Sequence, residues 1–170
     1  VHAVGGDLTA AGLALADMEG LQGRGARVKA RFGSGDVLII DESYNANPAS
    51  MAATIKQLGR ERAARHVAIL GEMRELGAES MRYHAELAAP LLEAGVAAAL
   101  LVGPDMAALA ERLEGKIELR HVPHATAARE SLESFLAPGD VILIKGSNAI
   151  GLGGLVQALA SGAFANGKST

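Results

Sequence analysis

Short apolar runs alternate with stretches of helical periodicity along most of this chain. The runs predict buried strands, which are Val37–Ile40, Val67–Leu70, Ala98–Val102 and Val141–Ile144. Arg27–Phe32 alternates polar and apolar residues, and the turn-forming residues 33–36 join it to the first run, so the two predict a hairpin. Ile117–Val122 is more polar and is a weaker strand candidate.

Between these strands, apolar residues recur three or four positions apart, which predicts helices that each bury one face. These repeats are Met51, Ile55 and Leu58; Met106, Leu109, Ala110 and Leu113; and Leu152, Leu155, Val156 and Leu159. Asn47 followed by Pro48 is a favourable start for the first helix, because Asn is a good N-cap and Pro fits the first turn. A further helix is predicted over residues 78–94, with a kink or break near Ala88 because Pro90 interrupts it.

Strands that alternate with helices predict an α/β fold. We expect a Rossmann-like, mostly parallel sheet with one antiparallel hairpin strand and helices on both faces. A short helix is predicted from Asp7 to Met18, and the glycine-rich residues 20–25 are typical of a linker between domains. Residues 1–22 are therefore expected to lie outside the main domain, which covers residues 23–161. Residues 162–170 lack periodicity and are expected to form a flexible tail.

The composition excludes several classes of function. Of the 170 residues, 49% are hydrophobic and 21% are charged, as in a soluble globular domain with a sizeable core. The formal net charge of -3 argues against a nucleic-acid partner. There is no cysteine for disulfides or thiolate metal sites, and no apolar stretch is long enough for membrane insertion. Because no signal peptide opens the sequence, a cytoplasmic location is expected.

Distinctive polar sequence directly follows four of the predicted strands. The carboxyl ends of parallel strands lie at one edge of a sheet, where α/β proteins place their ligands, so we expect these segments to converge. They are Asp41–Asn45, Gly71–Gly77, Gly103–Asp105 and Lys145–Asn148. Their convergence is better evidence for a site than any one motif.

The segment Asp41–Asn45 carries the richest chemistry of the four. A carboxylate at a strand end is suited to a pair of ribose hydroxyls, Tyr44 to stacking on a base, and Asn45 to polar edges. The alternative is an ordinary turn in which Asp41 and Asn47 accept backbone N–H groups.

The segment that begins at Lys145 favours an anion. Gly146 permits close backbone approach, Ser147 is suited to cap the next helix, and Lys145 adds a positive charge. The alternative is a plain turn with an exposed lysine.

The remaining titratable residues are less specific. Glu72 and Glu75, with Arg74 between them, form either a solvated charged loop or an interdomain contact. His84 lies on the apolar side of its helix and alone is more typical of a packed, hydrogen-bonded histidine than of a ligand. The other histidines show no metal-binding spacing; they are His2, His66, His121 and His124.

Residues 162–169 match the letter spacing of a Walker A phosphate loop. A working loop of this kind needs a buried strand before it and a helix after it. Here a helical segment precedes the motif and the sequence ends one residue later, so we assign no nucleotide site to it.

Three segments of the chain resemble the C-terminal domain of the Mur ligases. They are Asp41–Pro48, Leu70–Gly77 with His84 downstream, and Ile144–Ser147, in matching order and spacing. The Tyr-Asn-Ala-Asn-Pro sequence is similar to the branch of this family that adds D-alanyl-D-alanine, whereas branches that add earlier residues typically carry Tyr-Ala-His. The resemblance implies the lid domain of an ATP-dependent amide ligase of peptidoglycan synthesis, with residues 1–22 ending its central ATPase domain.

The resemblance also implies substrates and cofactors. The complete enzyme joins D-Ala-D-Ala to UDP-MurNAc-tripeptide, and it uses ATP and Mg²⁺ to form an acyl-phosphate that the incoming amine attacks. The nucleotide contacts implied for the lid are Arg24, Asp41, Tyr44 and Asn45, with Arg27 as the alternative to Arg24. The residues implied to face the substrates or the central domain are Asn47, Glu72, Glu75, His84, Lys145, Gly146 and Ser147.

The chain also departs from the family pattern. Glu42 follows Asp41 where members often have a second Asp, and Asn148 stands where many have Arg. The Walker loop, carbamylated lysine and magnesium ligands of the central domain have no counterpart, so we expect no catalytic residue or metal here and no activity of the chain alone. The alternatives are a stand-alone Rossmann-like module for nucleotide binding or interaction, and the lid of a folylpolyglutamate-type ligase.

Overall fold

Six strands lie side by side in one sheet in the computed structural model, which describes residues 22–165. Their bounds are β1 (Ala26–Phe32), β2 (Gly35–Glu42), β3 (Arg65–Gly71), β4 (Ala98–Val102), β5 (Glu118–Val122) and β6 (Asp140–Lys145). Their order across the sheet is β1-β2-β6-β3-β4-β5. β1 pairs antiparallel with β2, and all other neighbours are parallel. The predicted mostly parallel α/β sheet with one hairpin strand is confirmed.

Six α-helices lie between or after these strands within the described residues. They are α1 (Pro48–Leu58), α2 (Ser80–Ala85), α3 (Ala88–Glu93), α4 (Ala107–Leu113), α5 (Ala125–Phe135) and α6 (Gly153–Ala160). The helix predicted over residues 78–94 is in fact two helices, and the second begins at Ala88, where the break was expected. No helix between residues 22 and 165 has both the length and the apolar character that crossing a membrane requires.

Helix α5 was not predicted from the sequence. Its buried residues Ala128, Leu132 and Phe135 recur with helical spacing, and that signal lies in a segment rich in polar residues. The N-cap is His124, whose Nδ1 accepts the Ala127 N–H at 3.2 Å, an unusual cap that sequence rules do not favour.

The sheet buries both of its faces. One face packs against α5 and α6 through side chains such as Ile39, Ile69 and Ile142. The other face packs against α1, α3 and α4 through Ile40, Leu70 and their neighbours. Because side chains alternate along a strand, each central strand contributes side chains to the core on both faces of the sheet, which explains its continuous apolar run.

The segment after α6 differs from the flexible tail expected from Gly162. Phe164 is buried, its ring centroid lies 5.9 Å from that of Phe32, and its carbonyl accepts the Gly33 N–H at 2.9 Å. An aromatic ring that covers the hairpin removes apolar surface from water, and this holds residues 162–165 in place. The helix predicted from Asp7 to Met18, and residues 166–169 of the Walker-like motif, lie outside the described residues.

Candidate functional site

The loops that follow β2, β6, β3 and β4 are joined at the carboxyl edge of the sheet, as the parallel topology predicts. The Lys145 ammonium donates to the Asn45 carbonyl at 2.7 Å and so links the β6 and β2 loops. The Ser147 N–H donates to the Glu72 carbonyl at 3.0 Å and links the β6 and β3 loops. The Asp105 N–H donates to Oε1 of Glu72 at 2.8 Å and links the β4 and β3 loops. These bonds make the edge one connected surface.

Asp41 lies near the end of β2, and its carboxylate is enclosed by its own turn. Oδ1 accepts the Ser43 N–H at 3.1 Å and the Ser43 hydroxyl at 2.6 Å, while Oδ2 accepts the Gly23 N–H at 2.8 Å. Only 1% of the residue is exposed. In this state the carboxylate fixes the turn and the segment before β1, and it is closed to a ribose.

Arg24 and Tyr44 lie together on the exposed side of the same turn. The Arg24 guanidinium carbon is 4.3 Å from the centroid of the Tyr44 ring, a cation–π contact. Gly23 makes this arrangement possible, because a Cβ there would lie 2.9 Å from Cβ of Tyr44 and the residue has φ +77. Arg27, the alternative nucleotide contact, instead forms an ion pair with Glu61.

Two exposed asparagines, Asn45 and Asn47, lie just before the start of α1. Oδ1 of Asn47 accepts the Ser50 N–H at 2.9 Å, and the Ser50 hydroxyl accepts the Asn47 N–H at 3.2 Å. This capping box engages the Asn47 side chain in holding the helix. The Asn45 carbonyl accepts a hydrogen bond from Lys145, which fixes the turn and leaves the exposed Asn45 side chain available for other contacts.

Lys145 is buried, and the exposed lysine of the plain-turn alternative does not occur. Its Nζ lies 2.7 Å from the Asn45 carbonyl oxygen and 3.7 Å from Oε2 of Glu42. Burial lowers the pKa of the Lys145 ammonium, and the Glu42 carboxylate opposes that shift. The buried lysine therefore fixes the turn that follows β2 through its bond to the Asn45 carbonyl.

Gly146 and Ser147 bring β6 and β3 close together. A Cβ on Gly146 would lie 3.0 Å from Cα of Gly71 and 2.9 Å from Cδ1 of Leu152, so a larger residue would crowd this contact. Ser147 does not cap a helix as expected, because its hydroxyl accepts the Arg74 N–H at 3.0 Å. Gly146 and Ser147 therefore hold the loops after β6 and β3 against each other.

Glu72 is a buried carboxylate at the start of the loop after β3. Besides the Asp105 N–H, it accepts the Arg74 guanidinium at 3.2 Å, and its side chain is 3% exposed while that of Arg74 is 58% exposed. The carboxyl group occupies the space beside Gly103, where a Cβ would lie 2.5 Å from its carbon.

His84 lies inside α2 and is fully buried, so it does not face the cleft directly as the resemblance implies. Its Nε2 accepts the Met73 N–H at 2.9 Å, and its Nδ1 lies 2.8 Å from the Ser80 carbonyl oxygen. Since a backbone N–H can only donate, Nε2 carries no proton and Nδ1 is the protonated nitrogen.

Exposure divides the candidate residues into two groups. The exposed group is Arg24, Tyr44, Asn45, Asn47 and Glu75. The buried group is Asp41, Glu72, His84, Lys145, Gly146 and Ser147. Sequence analysis named Arg74 and Asp105 only as members of the Gly71–Gly77 and Gly103–Asp105 segments, and it did not name Ser80. A surface of aromatic, amide and charged groups over a rigid, bonded base is suited to binding and positioning.

The edge offers no metal centre of its own. Among residues 22–165, no group of three or more His, Cys, Asp or Glu side chains is placed to hold a metal ion. The Mg²⁺ implied by the resemblance does not fit the residues present, and no step through it is assigned to them.

These features define a Rossmann-type α/β domain with bonded polar loops at the carboxyl edge of its sheet, where α/β folds in general place their ligands. The sequence profile described as "Mur ligase, glutamate ligase domain" matches residues 23–148, so the chain belongs to the Mur ligase family. The family resemblance of the three segments is thereby confirmed.

Individual relatives agree with this assignment. The UDP-N-acetylmuramoyl-tripeptide--D-alanyl-D-alanine ligase of Synechocystis is 32% identical over 126 residues, which cover 73% of this chain and 28% of that protein. A MurF crystal structure from Acinetobacter baumannii matches with a TM-score of 0.76 and 26% identity, over 94% of this chain and 35% of the other. The MurF ligase of Thermotoga maritima in complex with ADP matches with a TM-score of 0.68 and 27% identity, over 88% and 33%. The chain thus spans 28% to 35% of the length of these proteins.

Proposed function

We propose that this chain works as the C-terminal lid of an ATP-dependent ligase that joins D-Ala-D-Ala to UDP-MurNAc-tripeptide. The family match over residues 23–148 supports the domain, and the ligase activity named for the Synechocystis relative supports the substrates. The observation that carries the proposal is the exposed turn at Tyr44, with Arg24 beside it, on a base fixed by buried hydrogen bonds.

The turn at Tyr44 is the nucleotide wall of the proposed site. The Tyr44 ring is 49% exposed and offers a face to a base, and Asn45 offers an amide to its polar edge. Arg24 is placed to leave the Tyr44 ring and pair with phosphate when ATP arrives. Asp41 lies beneath this surface, and Gly23 must move before the Asp41 carboxylate can reach a ribose. The ADP complex of the Thermotoga neighbour supports a nucleotide at this family's sites.

The loop at Glu72–Gly77 is the substrate side of the proposed cleft. Arg74 and Glu75 are exposed there, and Asn47 is exposed at the start of α1. A lid that carries these groups excludes water from the acyl-phosphate and orients the incoming amine. Residues 1–22 end the preceding ATPase domain, which supplies the phosphate loop and the Mg²⁺ ligands. ATP dependence fits a cytoplasmic enzyme.

Phosphate release by the complete protein tests this function. We expect release to require ATP, UDP-MurNAc-tripeptide and D-Ala-D-Ala together, and we expect none from the 170-residue chain alone. The matched variants are Tyr44→Ala, which removes the proposed stacking surface, and Ser131→Ala on α5, whose hydroxyl bonds only the Ala127 carbonyl. A complete protein that releases no phosphate in response to D-Ala-D-Ala contradicts the proposal, as does release by the chain alone.

A further inference from the structure

Four hydrogen bonds close a ring beneath the loop after β3. The Asp105 N–H donates to Oε1 of Glu72 at 2.8 Å, and Oδ2 of Asp105 accepts the Ser80 hydroxyl at 2.7 Å. The Ser80 carbonyl accepts His84 Nδ1 at 2.8 Å, and His84 Nε2 accepts the Met73 N–H at 2.9 Å. Because Glu72 and Met73 are adjacent in the chain, the ring is complete. It joins the β3 loop, the β4 loop and α2.

The loop held by this ring has a backbone conformation that its sequence does not favour. Glu75 has φ 65, in the left-handed region that residues with a side chain rarely adopt, and Gly77 has φ 58. Such a conformation persists only where surrounding contacts fix it. The bonds from Met73 and Glu72 to the ring lie immediately before Arg74 and Glu75, whose side chains are exposed.

We propose that His84 is a positioning residue whose Nδ1-protonated ring, linked to Asp105 through Ser80, holds the Met73 amide and thereby sets the Arg74–Glu75 tip of the loop. His84 touches no ligand in this role. The effect on catalysis rests on the proposed function, in which this tip faces the incoming amine. The effect on the loop is a property of the chain itself.

Nuclear magnetic resonance of the chain tests the loop directly. The ring nitrogens of His84 are expected to give the signature of the Nδ1-protonated tautomer, and the Met73 amide is expected to be protected from exchange. His84→Leu removes the acceptor, so exchange of the Met73 amide is expected to rise roughly tenfold or more. His84→Gln keeps an acceptor at the end of a similar side chain and is expected to restore part of the protection.

Ser80→Ala provides an independent variant that leaves the imidazole in place. It removes the hydroxyl bond to Asp105 and is expected to shift the amides of Met73, Arg74 and Glu75. Ser131→Ala is the matched control, since that hydroxyl bonds only the Ala127 carbonyl within α5. An Nε2-protonated ring, an unprotected Met73 amide in the wild type, or a loop unchanged in Ser80→Ala overturns the proposal.

Kinetics of the complete ligase then separate positioning from general stability. His84→Leu is expected to raise the KM for D-Ala-D-Ala about tenfold with the KM for ATP unchanged, and His84→Gln is expected to lie between it and the wild type. Equal losses for both substrates, or no difference from Ser131→Ala, contradict a positioning role. A wild-type protein without D-Ala-D-Ala-dependent activity contradicts the proposed function instead. In that case the nuclear magnetic resonance experiment still tests whether His84 sets the conformation of the Arg74–Glu75 tip.

Discussion

Individual charged side chains at the carboxyl edge serve mainly to hold its loops. Lys145 bonds the Asn45 carbonyl, Glu72 bonds the Asp105 N–H, and Asp41 bonds the Gly23 N–H. All three residues are at most 2% exposed. A buried charge is costly unless it is paired and hydrogen-bonded, so each of these side chains fixes the position of its partner. The exposed residues above them are left to meet ligands.

Replacing the buried lysine tests this division of roles. Lys145→Met keeps the length of the side chain and leaves the Asn45 carbonyl without its donor, at a cost of about 1–3 kcal/mol in the free energy of unfolding. Relief from burying an ammonium offsets part of that cost. Urea unfolding measures the loss, and amide spectra are expected to shift at Tyr44 and Asn45. Lys56→Met, an exposed lysine on α1, is the control. Tyr44 and Asn45 amides that do not shift contradict the role of Lys145 in holding the turn after β2.

Sequence reasoning found the residues of this edge but not their exposure. Asn47 was predicted as a cap because its partner Ser50 is three residues away and local rules suffice. The partner of Lys145 is 100 residues away, and the partner of His84 is a backbone N–H 11 residues away. Such partners follow from the three-dimensional arrangement of the loops, which no local pattern encodes. The turn alternative for Asp41 and the packed alternative for His84 describe the geometry found here.

At the scale of elements, strands were easier to predict than helices. Four apolar runs gave four strands, because a strand buried on both faces is apolar throughout. Helix α5 was missed since it buries only Ala128, Leu132 and Phe135 among polar neighbours. The close approach of the loops depends on glycines such as Gly146, which the sequence indicated, and Gly103, whose lack of a Cβ beside Glu72 is evident only in the structure.

Gly103 provides the sharpest test at this scale. It has φ +110, and a Cβ would lie 2.5 Å from the Glu72 carboxyl. Gly103→Ala is therefore expected to lower the free energy of unfolding by about 2–4 kcal/mol through strain and overpacking. Gly154→Ala is the control, because no heavy atom lies within 4 Å of its added Cβ in α6. That variant is expected to be neutral or up to about 1 kcal/mol more stable. Equal effects of the two variants on thermal unfolding contradict this account.

At the scale of the whole molecule, the strand order places the four polar loops of the carboxyl edge in the middle of the sheet and the hairpin at one side. Strands β2, β6, β3 and β4 are adjacent, so their four loops form one surface. The hairpin strand β1 is tied to the segment before β3 by the ion pair of Arg27 with Glu61. Arg27 lies opposite Ile40 in the β1–β2 pairing, and its guanidinium is engaged by Glu61, so we expect this pair to contribute to stability.

The pH dependence of stability tests this ion pair. The hydrogen bond from Arg27 lowers the pKa of the Glu61 carboxyl below its ordinary value of about 4.3. Its stabilisation is therefore present above that value and is lost as the pH falls through the lowered pKa. Because both side chains are partly exposed, Arg27→Ala is expected to cost at most about 1 kcal/mol at neutral pH and less below pH ~3. Lys29→Ala, on the same face of β1, is the control, and urea unfolding is measured for both variants at neutral pH and below pH ~3. A cost of Arg27→Ala that does not change with pH contradicts the assignment.

The most direct test of the central claim is an amide-resolved titration of the chain with ATP. The account predicts weak, saturable shifts centred on Arg24, Tyr44 and Asn45, with affinity reduced roughly tenfold or more in Tyr44→Ala through loss of base stacking. Residues 162–169, which carry the Walker-like spacing, are expected to be unaffected. A groove between α4 and β5 is lined by Ala107, Glu111 and Leu119. Shifts centred on residues 162–169 or on that groove, with Asp41–Asn47 unchanged, would contradict the placement of the nucleotide at this edge.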